Sequence, residues 1–374
     1  MAALSPEAID MLEFALGPKA KRGRGDPNAH RAGKAVAGLG FAPIAGVAGG
    51  FSVFGKGTHK QRSANAVAAL QRTVAKSPEV MVKVTGRQNG SGHVAANFAY
   101  ISRLGYGDDK ELELVTSEGK ELNTWHEMKE LADQWQAWEM NDEARRKGST
   151  SLSMVLSMPA GTDASKVLQA AKAFAQSEMA DRRWVMALHN DKDHPHVHLT
   201  VARRDLDGLR FHPGNEDLFR YRQAFAEKLR DVGIEANATP RKARGVSVKA
   251  EATPVYQIAK RGGKSQIAER VKADTVASFI EGKQHTAYDA YLKEQRNEVG
   301  AAFRKVSEEL VQNPDRQYKD LALAVANFYK DMPTAQSLQS RRVAQMRDRQ
   351  QQSKDRPNYK AQAKETPGRS ERDR

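Results

Sequence analysis

Residues 184–204 read Trp-Val-Met-Ala-Leu-His-Asn-Asp-Lys-Asp-His-Pro-His-Val-His-Leu-Thr-Val-Ala-Arg-Arg, and the fold is decided here. Two apolar runs flank a polar turn, Asn190 to Pro195, so the stretch predicts an antiparallel hairpin. Side chains two apart on a strand share a face. His196, His198 and Thr200 therefore lie on one face, and Val197, Leu199 and Val201 on the other. The valine and leucine face is a core face, which leaves the histidine face for chemistry. The hairpin also carries His189 across to the pair. Three imidazoles then converge, a donor set that suits a divalent metal and leaves coordination positions open. Four of the ten histidines fall in this one stretch. A closed structural zinc site is the competing reading. It needs a fourth protein ligand, and with no cysteine in the chain that ligand would be His194, a turn residue better suited to supporting the ligands from behind.

The neighbouring segments predict an α+β fold with a mainly antiparallel sheet. Strands are expected at 80–85, 111–115, 152–158, 184–189 and 196–204. Helices are expected at 94–104, 124–146, 164–179 and 217–232. Glu118 to Lys120 reads as a turn, as do Gly90 to Gly92. Val94, Phe98 and Ile101 form the buried stripe of helix 94–104. Tyr100 falls on its other side, with Asn97 and Arg103.

The chain has 374 residues and a formal net charge of +14, from 60 Lys and Arg against 46 Asp and Glu. That excess favours an anionic polymer as partner, nucleic acid before an acidic membrane surface. The absence of cysteine excludes disulfides and thiolate catalysis, and fits a reducing cytoplasm. No signal peptide is visible, since residues 1–17 read as a helix capped by Ser5 and ended by Gly17. Ala35 to Gly55 carries no charge but is rich in Gly and Ala and broken by Pro43. It reads as a loosely packed segment, and no stable membrane insertion is expected.

Residues 1–78 read as an accessory extension with a basic patch, Lys19 to Arg24, and 79–235 as one α+β domain. Residues 236–254 read as a basic linker, 255–340 as a helical region, and 341–374 as a basic, disordered tail. No P-loop or dinucleotide fingerprint is present.

A metal site on a basic protein points to phosphate chemistry. The nucleophile would be metal-bound water or a side chain. Tyr100 and Tyr106 are the tyrosine candidates, and six residues apart they cannot share a helix face. Arg203 and Arg204 are candidate phosphate contacts, although adjacent strand residues cannot both face one groove.

Asn97-Phe-Ala-Tyr-Ile-Ser-Arg103, then Met158-Pro-Ala-Gly161, then Ala187 to Leu199 resembles the conjugative relaxases of the mobilisation and T-DNA-border-nicking type, in both order and spacing. These are HUH nucleases, named for a His-hydrophobic-His pair, here His196-Val197-His198. The resemblance covers residues 79–235. It implies that Tyr100 is the catalytic nucleophile and that His189, His196 and His198 bind Mn²⁺ or Mg²⁺. It further implies that Arg103 contacts DNA, and that a transfer-origin strand is nicked through a 5′-phosphotyrosine and later rejoined. Implied partners are single-stranded DNA, accessory nicking proteins and a type IV coupling protein. The implied location is the bacterial cytoplasm, with transfer alongside DNA into a recipient cell. Some relatives carry a carboxylate ligand three positions after the first histidine, where this chain has Lys192; roles for Asp191 and Asp193 stay open. The alternatives are an HUH replication initiator, in which the tyrosine follows the histidine pair, a zinc-containing DNA-binding regulator without activity, and an RNA-processing phosphoesterase.

Overall fold

The structure, a computed structural model, describes residues 4–18, 52–55, 57–104, 112–140, 148–191, 193–204, 206–247, 253–283 and 286–354. Tyr106, the basic patch Lys19 to Arg24, Lys192, most of Ala35 to Gly55 and the tail beyond 354 lie outside them. Two compact units divide the chain. One comprises Met1–Pro240 with Ala302–Lys330, and the other Arg241–Ala301 with Asp331–Arg374.

In the first unit the order is α1 (Pro6–Leu16), α2 (His59–Val74), β1 (Met81–Gln88), α3 (Ser91–Ser102), β2 (Leu114–Thr116), β3 (Glu121–Leu122) and α4 (Trp125–Met140). Then come β4 (Ser151–Ser157), α5 (Ala164–Glu178), β5 (Trp184–His189), β6 (His196–Ala202) and α6 (Asn215–Asp231). The strands form one six-stranded sheet in the order β1-β4-β6-β5-β2-β3, with antiparallel pairing throughout. The α+β class expected from the sequence is the class found.

Helices cover both faces of this sheet, which is why the central strand β4 is buried along nearly its whole length. On one face Leu152, Met154, Leu156, Val197, Leu199 and Val201 pack against α5 and α6 through Phe174, Tyr221 and Phe225. On the other, Val185 and Ala187 pack against Val94, Phe98 and Ile101 of α3 and Trp135 of α4. Phe98 meets Trp135 edge-on, with ring centroids 5.2 Å apart. The expected stripe on α3 is thus the one that is buried.

Three details depart from the expectations. Helix α3 begins at Ser91, not Val94. Gly90 takes φ 80° and donates its N–H to Thr150 Oγ1 at 3.0 Å, so the chain turns before Gly92 and the helix can start earlier. The same helix stops at Ser102, and Arg103 is left-handed at φ 57°, ψ 29°, with Leu104 N–H donating to the Ala99 carbonyl at 3.0 Å. Residues 236–239, assigned above to a linker, pack into the first unit. Asn237 exchanges main-chain hydrogen bonds with the chain before β1, its carbonyl accepting from Val80 N–H at 2.9 Å and its own N–H donating to Pro78 at 2.8 Å.

Helices α1 and α2 belong to this unit as well. Leu4 N–H donates to Ser63 Oγ at 2.7 Å, and Thr58 and Gln61 form a reciprocal cap at the start of α2.

The helices beyond are α7 (Thr253–Lys260), α8 (Gln266–Ile280), α9 (Ala287–Val311), α10 (Arg316–Lys330) and α11 (Leu338–Lys354). In the second unit Asp289 is a hub. Its carboxylate accepts from Thr286 N–H, Thr286 Oγ1, Ser337 N–H and Ser340 Oγ, each at 2.6 Å. Desolvation raises the pKa of this carboxyl, but these donors outweigh it and hold the group well below the ordinary carboxylate range. Among the described residues no helix is long and apolar enough to cross a membrane.

Candidate metal centre and nucleophile

The hairpin register builds the cluster. His189 of β5 is the direct cross-strand partner of His196 of β6, and Ala187 is the partner of His198. All three histidines therefore share the face covered by α3, while Val197 between them is fully buried on the opposite face. One ring nitrogen from each lies within 4.8 Å of the others. Ring centroids are 4.3 Å apart for His189 and His198, and 5.2 Å for each pair containing His196.

Two main-chain carbonyls orient the rings. His189 Nε2–H donates to the Ile101 carbonyl at 2.6 Å, and His196 Nδ1–H to the His194 carbonyl at 3.0 Å. A carbonyl only accepts, so each of these nitrogens carries a proton. Carbonyl-fixed tautomers are the usual support for metal-binding histidines. Burial, opposed by the Ile101 hydrogen bond and reinforced by the charges of Arg103 and His196, lowers the pKa of His189 and keeps its imidazole neutral. A neutral imidazole is the form that ligates. The donor set therefore fits a divalent ion, held by His189, His196 and His198.

The left-handed turn at the end of α3 carries Arg103 to the His189 edge of the cluster. Its Nη2 pairs with Asp191 Oδ1 at 2.6 Å and lies 3.4 Å from His189 Nδ1. An ion on that nitrogen and the guanidinium would compete for it. Burial opposes ionisation of Asp191, but the hydrogen bond and charge of Arg103 outweigh it and hold the carboxyl below its ordinary value. A left-handed conformation costs a non-glycine residue on the order of 1 kcal/mol, so the turn has to be stabilised by what it brings together.

Tyr100 stands in the last turn of α3, is 61% exposed, and meets His198 edge-on at 6.3 Å between ring centroids. One helical turn earlier, Asn97 Oδ1 accepts from Thr200 Oγ1 at 2.7 Å and Ser153 Oγ at 3.2 Å, which fastens the polar side of the helix to the sheet. Tyr100, Asn97 and the three histidines are thus one constellation, with Arg103 and Asp191 at its edge. The carbonyls of Ile101 and His194, being backbone groups, carried no signal in the sequence. Ser153 could have been found, since it repeats on alternate positions of β4 with Ser151 and Ser157.

The site thus places three histidines of the sheet beneath a helix that presents a tyrosine. Residues 100–234 match the family model described as Relaxase: MobA/VirD2-like, nuclease domain. It is 30% identical to the T-DNA border endonuclease VirD2 of Rhizobium radiobacter over 32% of this chain and 32% of that protein. The chain thus spans about a third of the length of the curated relative it matches. A solved structure described as "Molecular Basis of Vancomycin Resistance Transfer in Staphylococcus aureus" aligns with 44% of this chain and 98% of its own, at 16% identity and a TM-score of 0.30. At that score the likeness carries no structural argument.

Proposed function

We propose that this chain is a site- and strand-specific DNA relaxase that nicks single-stranded DNA at a transfer origin and later rejoins it. The observation that carries the reading is the exposed phenol of Tyr100 standing over a cluster of three histidines, inside a segment that matches relaxase nuclease domains. Residues 79–235 are taken as the nuclease domain.

Tyr100 Oη attacks the scissile phosphorus. An O–P bond to the tyrosine forms as the bond from phosphorus to O3′ breaks, and the phenol proton passes to water while the leaving O3′ takes one up from water. The products are a 5′-phosphotyrosine and a free 3′-OH. Reversal with a 3′-OH restores the phosphodiester and the phenol, so the bond energy is kept and no nucleotide is consumed. A divalent ion bound by His189, His196 and His198, Mn²⁺ or Mg²⁺, would polarise the phosphate and offset its developing charge. Asn97 holds α3, and with it Tyr100, in register over the sheet. Arg103 can turn to a phosphate only by exchanging Asp191 for it, which keeps its charge paired in both states. The regions beyond 255 would serve the accessory proteins and the coupling protein.

The test is cleavage of the transfer-origin strand adjacent to the gene, with Mn²⁺, on a denaturing gel. A covalent protein–DNA adduct should form with the unaltered chain and Tyr106→Phe, and vanish with Tyr100→Phe and His196→Ala. A chain that binds this strand and the metal but forms no adduct would be a metal-containing DNA binder without activity.

A further inference from the structure

The other end of β6 carries a second cluster, which the nicking reaction does not use. Arg203 follows the strand directly, its N–H donating to the Thr150 carbonyl at 2.9 Å. The residue is 6% exposed, and its Nε and Nη1 are buried with no hydrogen-bond partner among the described residues. Its Nη2 lies 3.5 Å from His212 Nδ1.

The sheet register explains its neighbours. Arg87 pairs with Leu152, Leu152 with Val201, and Val201 with Trp184, so this row points to the face opposite the histidines. Arg203 lies two residues beyond Val201 and Arg182 two before Trp184, so both continue on that face. Burial first, and then the charges of Arg210, Arg87 and Arg182, lower the basicity of Arg203. Among the described residues Glu139 is the carboxylate that acts on it, and it is already shared. Arg210 Nη1 donates to its Oε1, and Arg204 Nε lies 3.4 Å from its Oε2. Arg182 has its own counter-charge in Asp181 at 3.5 Å. Gly148 keeps this layout open, because a Cβ there would fall on the Arg210 guanidinium.

A buried guanidinium with two unpartnered nitrogens among like charges is costly unless an anion completes it. The forked donors of arginine match the oxygens of a phosphate. We propose that Arg203, Arg87, Arg182 and His212 form a phosphate-binding site that holds a backbone phosphate of the DNA strand, remote from the bond that is cut. β6 has seven residues, which sets Arg203 about 20 Å from His196. The phosphate chemistry stands on these residues alone; the DNA as its source rests on the nicking reading.

The experiment uses the full chain, Arg87→Gln and Arg203→Gln, with two probes. The first is inorganic phosphate, compared with chloride at equal ionic strength in thermal unfolding. Phosphate should raise the Tm of the unaltered chain, and much less that of either variant. The second is a labelled oligo-dT, titrated across a range of KCl concentrations. The slope of log K against log salt should shrink by roughly 0.7 in each variant, the value for one lost single-strand phosphate contact. If Arg203→Gln fails to fold, the exposed Arg87 decides alone. Phosphate stabilisation and salt slope both unchanged in Arg87→Gln would overturn the site. Stabilisation lost but slope unchanged would overturn DNA as the source and leave a free phosphate. Loss of adduct formation with both Arg87 effects intact would defeat the nicking reading and leave this site standing.

Discussion

The two ends of β6 are opposite in what they lack. At one end His189, His196 and His198 bring their ring nitrogens together, two of the rings oriented by main-chain carbonyls, and suit a cation. At the other, Arg203 is crowded by the guanidiniums of Arg210, Arg87 and Arg182, while Glu139 is taken by Arg210 and Arg204, and it suits an anion. The histidine pair of β6 and the arginine that directly follows it therefore lie at the two ends of one seven-residue strand and on opposite faces. The difference teaches that alternation along a strand can separate two kinds of charge demand which would cancel if they shared a face. Binding of a polyanion and binding of a metal can then be perturbed independently.

The sharpest way to break the comparison is at the histidine end. Tyr100→Phe removes only an exposed hydroxyl, so stability and oligonucleotide affinity should stay near those of the unaltered chain. Adduct formation should fall by at least about 10³-fold, as for loss of any covalent nucleophile. Parallel gel and binding measurements check this, and a variant that still forms adduct would remove Tyr100 from the chemistry. Phe98→Ala attacks what holds the helix over that end. It leaves a cavity beside Trp135 and should cost about 3–5 kcal/mol in denaturant unfolding, with metal affinity lowered through the loosened Ile101 carbonyl.

At the arginine end, Glu139→Ala strips the shared carboxylate from Arg204 and Arg210. Breaking a buried ion pair from one side typically costs about 3–5 kcal/mol, and excess phosphate should restore part of it. An equal loss with and without phosphate would break the contrast between the two ends.

A smaller effect comes from Asp289, a buried charge whose partners are complete. Its folded pKa is depressed below the ordinary 3.8. Its contribution to stability is thus fully present above that value and is lost as pH falls toward the folded pKa. Acid titration of unfolding should show a loss below about pH 4 that is reduced in Asp289→Asn. Coincident curves would mean that the serine and threonine donors add nothing beyond the fold.

The sheet was legible because alternation is a local signal, and the metal cluster because its three members lie on one hairpin whose register follows from a short turn. Tyr100 was legible as a residue off the buried stripe of α3, but its choice over Tyr106 came from resemblance. The left-handed turn at Arg103 was not legible. No glycine or asparagine marks it, and only the pull of Asp191 and His189, remote in sequence, explains it. The pairing of Asn237 with Pro78 and Val80 was hidden for the same reason, since its partners are long-range main-chain groups. Arg203 and Arg204 could be seen to diverge, but not that one would take Glu139 while the other stayed under-partnered.

The direct pairing of His189 with His196 bears on the order in which the molecule assembles. A hairpin closes on the order of 1–10 μs because its ends are near in sequence. Tyr100 arrives only when α3 docks on the sheet, across a separation of nearly a hundred residues, and long separations slow that step. The histidine half of the site is therefore the early half and the tyrosine half the late one. A chain refolding from an extended state brings its three imidazoles together before the phenol joins them.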